Sequence, residues 1–281
     1  MRLDPNRLPG LGVAHFTAID DEPLAFVTMA AESGFSAVGL RLHPAFPGAP
    51  FYEIPTGSSL MRDMRRRLAD TGLRVYDIEF VTVTAGFDPA SIAAMLDSAA
   101  DLGASRISTC GDGADRDGLV QAFEALCDAA AERSLAVDLE VMPWRSVGSL
   151  ADALDVLDRA GRPNAGLLVD ALHLSRSAAS PADLARCDPR LIRSVQLCDA
   201  VKSRPATKED LIKEARGGRL LPGAGALPLH ELIAVAPDEA ALSVEVPKVN
   251  SPAQEHLNAA FEGAQRVLRA SDSAENRGNL A

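Results

Sequence analysis

Two rhythms of apolar residues take turns along the chain. Short runs rich in valine, leucine and isoleucine read as strands, and longer Ala/Leu-rich stretches between them carry apolar positions at helical spacing. Strands are expected over residues 11–17, 36–42, 73–83, 105–110, 135–141, 166–172, 192–197 and 241–246. Helices are expected over 20–34, 61–69, 90–102, 117–132, the stretch opened by Ser149, 181–186, 229–235 and 252–268. Local chemistry marks several boundaries. Pro23, after Asp20, Asp21 and Glu22, suits a helix start, whose free N–H groups favour negative charge. Ser149-Leu150-Ala151-Asp152 has the form of a capping box. A polar loop is expected over 199–225, and 271–281 reads as a flexible C-terminal tail.

Eight strand–helix pairs is the number that closes a (β/α)8 TIM barrel, here a single domain over 1–270. An open doubly wound sheet would need a glycine-rich phosphate turn after its first strand, and His15-Phe16-Thr17-Ala18 stands in that place.

Composition narrows the partners. At 47% hydrophobic residues the chain can bury a large core, and no run of apolar residues is long enough for a membrane span. With 28 Lys+Arg against 39 Asp+Glu the formal charge is −11, which repels a nucleic-acid backbone. The scattered cysteines Cys110, Cys127, Cys187 and Cys198 form no CxxC pair, and the N-terminus carries no apolar leader; a cytoplasmic location is expected.

In such a barrel the chemistry collects where the strands end at their C-termini. Those ends hold His15, Arg41, Asp77 and Glu79, Glu140, Asp170 with His173, Gln196, and Glu245 with Lys248. Acids meeting on one axis repel one another unless a cation sits among them. Period-two alternation turns Glu140, Gln196 and Glu245 inward, and Asp170 stands at the mouth of the sixth strand. Four oxygen donors from consecutive strands favour a hard divalent ion, Mn2+ or Mg2+. Asp77 and Asp138 read as structural ion-pair partners. Trp144, three residues past the end of the fifth strand, is placed to wall the site. Lys248 lies past the last strand, where a Schiff base is a weak reading, and Gly223-Ala224-Gly225 is a short candidate for holding phosphate.

The chain resembles the xylose-isomerase-like TIM barrels, from Leu11 to about Leu268. The resemblance is carried by Leu139-Glu140, Val169-Asp170-Ala171-Leu172-His173, Val195-Gln196-Leu197-Cys198-Asp199, Arg219-Leu220-Leu221-Pro222-Gly223-Ala224-Gly225 and Ser243-Val244-Glu245. It implies that Glu140, Asp170 and Glu245 bind the metal, that His173 contacts substrate beside it, and that Arg219 orients a substrate oxygen. Position 196 is usually histidine in that family; glutamine there favours Mn2+ or Mg2+ over Zn2+. His15, Arg41, Glu79 and Trp144 are expected to line the substrate pocket.

The resemblance implies an isomerase or epimerase of a small polyhydroxylated carbonyl compound, working through a metal-stabilised enediolate with Glu140 and Glu245 as acid and base. The alternative is a metal-dependent dehydratase of an inosose- or dehydroshikimate-like substrate, since the same groups serve loss of a β-hydroxyl. An endonuclease branch needs several histidines and a basic surface and fits poorly with five histidines and −11 charge. A non-catalytic sugar-binding barrel is a further option. Barrels of this group often pair, so a homo-oligomer is compatible with the resemblance.

Overall fold

The computed structural model describes residues 10–278, with side chains through Ser271. Its strands are β1 (Leu11–Val13), β2 (Ala37–Arg41), β3 (Arg74–Val83), β4 (Arg106–Gly111), β5 (Ala136–Glu140), β6 (Ala165–Asp170), β7 (Ile192–Leu197) and β8 (Ala241–Val244). They pair in chain order, all parallel, and β1 closes on β8. The helices are α1 (Pro23–Ser33), α2 (Ser59–Thr71), α3 (Ala93–Asp101), α4 (Arg116–Ala131), α5 (Leu150–Ala160), α6 (Ala171–Arg176), α7 (Pro181–Leu184), α8 (Lys208–Gly217), α9 (Leu229–Val235) and α10 (Ala253–Gly278). The expected (β/α)8 barrel is the fold.

Parallel strands are covered on both faces, so they read as nearly unbroken apolar runs. A continuous hydrophobic layer between barrel and helices includes Phe26, Met64, Leu96, Phe123 and Leu126, all fully buried. Helix starts follow local chemistry: Ser58 accepts from the Met61 amide, Asp115 from Gly118, and Ser149 forms the expected capping box with Asp152.

The structure departs from the sequence expectations in four places. Strand β1 stops at Val13, because the Glu79 carboxylate takes the His15 and Phe16 amides and turns the chain into a 3-10 helix (His15–Ala18). Strand β6 stops at Asp170, whose side chain accepts from the His173 amide and so caps α6; His173 is thus helical, not in a loop. The expected loop over 199–225 contains α8, capped by Thr207. That helix buries only Leu211 and Ala215, with Ile212 half-buried, so its apolar signal is thin. Finally, α10 runs past Leu268 to Gly278 through a stretch without proline or glycine, where the tail was expected to begin; residues 279–281 lie outside the described residues.

Inside the barrel the packing is polar. Asp138 pairs with Arg106 at 2.9 Å and accepts from Ser194 at 2.5 Å, as an ion-pair role requires. Asp77 corrects the matching expectation: both its carboxyl oxygens are buried without a hydrogen-bond partner, and burial, aided by Glu79 and Asp138, drives its pKa well above the usual range. The register between β2 and β3 shifts between Val38 and Gly39, bringing Tyr76, Asp77 and Glu79 against Gly39. A Cβ there would collide with Asp77 Oδ1, lie 2.7 Å from Glu79 Oε1 and 3.2 Å from the Tyr76 hydroxyl. Gly39→Ala is therefore expected to cost about 1–3 kcal/mol through overpacking. A urea melt with an unchanged midpoint would contradict that packing.

Candidate active site

The C-terminal ends of the strands open into one pocket, partly open to solvent. Glu140 ends β5, Gln196 lies in β7, Glu245 directly follows β8, His173 stands on α6 and Arg219 follows α8. All five line the pocket, with Arg41, Glu79 and Trp144. Asp170 ends β6 behind them, its side chain without solvent exposure.

Glu140, Asp170 and His173 each offer a ligand atom, and these atoms lie within 4.8 Å of one another. His173 Nε2 is 3.6 Å from Glu140 Oε1, and His173 Nδ1 is 3.9 Å from Asp170 Oδ1. Gln196 sits beside this group, its amide donating to Glu245 Oε1 at 3.4 Å. Arg219 reaches the same acids: Nη1 is 2.5 Å from Asp170 Oδ2 and Nη2 is 3.0 Å from Glu245 Oε2.

Electrostatics follow from burial. Removing Glu140 from water, next to Asp170 and Glu245, raises its pKa well above the usual value. Glu245 is pushed up to about 7, chiefly by burial, with Arg219 opposing. Burial also works to raise Asp170, but Arg219, His173 and the His173 amide outweigh it and hold its pKa below the ordinary carboxylate value. Burial pushes His173 down to about 4, so its ring is neutral at pH 7. Two buried atoms here have no hydrogen-bond partner, Glu140 Oε1 and His173 Nδ1. Unpartnered buried polar atoms are costly, and carboxylates crowded together more so. Carboxylates with a neutral imidazole and an amide oxygen are donors that a divalent cation takes, so the residues present fit one.

One expected pocket residue lies elsewhere. His15 is fully buried between the Phe26 and Tyr52 rings, at 4.5 and 5.2 Å, with Nε2 on the Asp21 carbonyl and Nδ1 accepting from the Arg41 amide. It serves the barrel wall, and its ring nitrogens are engaged. Arg41 binds Glu79 through Nε and Nη2, at 3.2 and 2.8 Å, with Phe16 and Phe80 against its guanidinium. Trp144 meets the His173 ring edge-on at 5.0 Å and forms the expected wall. Lys248 pairs with Asp20 at 3.2 Å and does not line the pocket. The amide of Gly223 donates to Asp199, so this loop serves Asp199 and not phosphate.

The sequence reading missed Arg145 and Arg216, which line the same pocket. Arg145 directly follows Trp144; it pairs with Asp112 through Nη1 at 2.5 Å, while its Nε is buried without a partner. Arg216 belongs to the unforeseen α8. Its guanidinium lies 4.2 Å over the Phe46 ring, and no carboxylate of the described residues pairs with it. Arg216 is exposed at the pocket's edge, and its partial desolvation there and the neighbouring Arg145 charge lower its pKa.

A family model described as xylose isomerase-like TIM barrel matches residues 27–271, and the chain belongs to that family. The 3-dehydroshikimate dehydratase of Pseudomonas aeruginosa is 28% identical over 186 residues, covering 62% of this chain and 29% of that protein. The chain thus matches less than a third of its relative's length. The structure of a xylose isomerase-like TIM barrel/4-hydroxyphenylpyruvate dioxygenase fusion protein aligns with a TM-score of 0.80 at 19% identity, covering 97% of this chain and 45% of that one. A crystal structure of IOLI protein with a bound zinc atom aligns with a TM-score of 0.75 at 16% identity, covering 93% and 99%. At such identities these structures speak for the fold.

The pKa directions set a pH dependence. Glu140 and Glu245 have folded values above their unfolded ones, so the stability they contribute is present below the usual carboxylate pKa and lost as pH rises through the folded values, about 7 for Glu245. Asp170 has the opposite sign, and its contribution fades only in acid, below the usual carboxylate range. Metal-stripped protein is expected to melt at a lower temperature at about pH 8 than at about pH 6, with Mn2+ raising the midpoint more at the higher pH. An Mn2+ shift that is equal at both pH values, or absent, would contradict a cation site among these acids.

Proposed function

We propose that the chain is a divalent-metal-dependent dehydratase of a cyclic hydroxy-ketone that carries a carboxylate, a dehydroshikimate-like substrate. The observation that carries this reading is Arg216. In a chain of net charge −11, a pocket-lining arginine without an acidic partner, crowded by a second arginine with an unpartnered buried Nε, is arranged for an anion from outside. Phe16, Phe46, Phe80 and Trp144 supply apolar walls suited to a flat ring. The match to a dehydratase of this kind supports the same choice over an isomerase or epimerase of a neutral ketose, which would give Arg216 nothing to bind.

The metal would be held by Glu140, Asp170 and Glu245, with Gln196 as a further donor, and would supply Lewis-acid polarisation of the ketone oxygen. The chain's own groups then divide the work. Arg216 and Arg145 bind the carboxylate and fix the ring's orientation. Glu140, with Oε1 free of protein partners, takes the proton next to the carbonyl. The electron pair of that C–H bond forms the new C=C bond as the β C–O bond breaks. Glu245, across the site, hands a proton to the departing hydroxide, which leaves as water. Neutral His173 holds a substrate oxygen beside the acids. Trp144 covers this corner and keeps bulk water away.

A spectrophotometric assay with dehydroshikimate is expected to show an aromatic hydroxybenzoate product. Arg216→Ala should raise KM about 10–100-fold with a smaller effect on kcat, as expected for one charge-assisted contact of about 1.5–3 kcal/mol. Glu140→Gln should abolish turnover. Proton exchange on neutral ketoses, without water loss from the carboxylated ring, would instead establish the isomerase or epimerase reading.

A further inference from the structure

Arg219 is expected from the family resemblance to orient a substrate oxygen, but its hydrogen bonds are already taken. A guanidinium has five N–H donors. Nε donates to the Ala215 carbonyl at 3.0 Å. Nη1 donates to Asp170 Oδ2 at 2.5 Å and to the Glu245 carbonyl at 3.2 Å, with Cys198 Sγ at 3.4 Å. Nη2 lies 3.0 Å from Glu245 Oε2 and 3.4 Å from His173 Nε2. The side chain is 2% exposed, and every nitrogen of the guanidinium already has a protein partner.

The two carboxylates are split the same way. Asp170 gives Oδ2 to Arg219 and keeps Oδ1 on the side of His173. Glu245 gives Oε2 to Arg219 and keeps Oε1 beside Gln196. We infer that Arg219 is a positioning residue of the metal centre: its fork holds one oxygen of Asp170 and one of Glu245, so that Asp170 Oδ1, which accepts only the His173 amide, and Glu245 Oε1, which accepts only the Gln196 side-chain amide, each keep a lone pair with which to ligate. The inference rests on the metal reading above.

The loop that carries Arg219 is built for this purpose. Asp199 and Leu220 exchange backbone hydrogen bonds at 2.8 and 2.7 Å, which anchors the residue next to Arg219. The Asp199 carboxylate gathers the Ala200, Gly223 and Leu227 amides at 2.8, 3.1 and 2.9 Å. Gly225 packs so tightly on this knot that a Cβ would collide with the Ala200 carbonyl and the Asp199 carboxylate.

Calorimetric titration of the metal-stripped full chain with MnCl2 tests the assignment, with thermal melts to check folding. Wild type is expected to bind one Mn2+, and Arg219→Met to bind it about 10–100-fold more weakly, the usual effect of removing a group that orients a ligand. Arg219→Lys should also bind more weakly, because an ammonium lacks the planar fork. It decides the matter if the Met variant does not fold. Wild-type binding with equal or tighter binding by the folded variants would overturn the inference, since an arginine serving substrate, or one merely standing in for the cation, predicts that result. If wild type itself takes up no Mn2+, the metal reading fails and this assignment with it.

Discussion

Mutual repulsion of buried carboxylates is the constraint around which this barrel is organised. Glu79, Glu140, Asp170 and Glu245 are all buried at one end of the strands, where water cannot screen them. Two arginines supply part of the compensation, Arg41 on Glu79 and Arg219 on Asp170 and Glu245. The raised pKa values of Glu140 and Glu245 show that compensation to be incomplete. The deficit lies beside an unpartnered Glu140 oxygen and an unpartnered His173 nitrogen, where a cation would make it good.

The remaining positive charge of the pocket is arranged differently. Arg41 and Arg219 are committed to acids, whereas Arg216 rests on an aromatic ring and Arg145 keeps one donor unused. The pocket thus separates a region short of positive charge, at the strand ends, from one with positive charge to spare, between α8 and the loop after β5. A substrate carrying a ketone and hydroxyl at one end and a carboxylate at the other matches that division. That division, and not the fold, which many chemistries share, is the ground for the proposed dehydratase reading.

Much of this was legible in the sequence because it depends on period and position. Strand β7 and helix α9 have the boundaries expected from alternation and helical spacing, and β3 differs by one residue. Period two was enough to turn Glu140, Gln196 and Glu245 into the mouth. What escaped depends on contacts distant in the chain. Helix α8 buries little apolar surface, so its pattern resembles a polar loop, and Arg216 was hidden with it. His15 lies within the run expected to form the first strand, but Glu79, sixty-four positions away, pulls its amide off the sheet and the aromatic rings enclose it. Asp77 resembled an ion-pair partner, yet Arg106, the nearby cation, binds Asp138 instead. Arg219 was found from its motif, but its saturated donors are visible only in three dimensions.

The central claim is that Glu140, Asp170 and Glu245 surround a divalent cation. Anomalous diffraction from crystals grown with Mn2+ tests it most directly. The account predicts a single strong anomalous peak within ligand distance of all three carboxylates, with Asp170 Oδ2 and Glu245 Oε2 still on Arg219. No peak there, or a peak bounded by other residues while these acids remain protonated or paired only with Arg219, would contradict it.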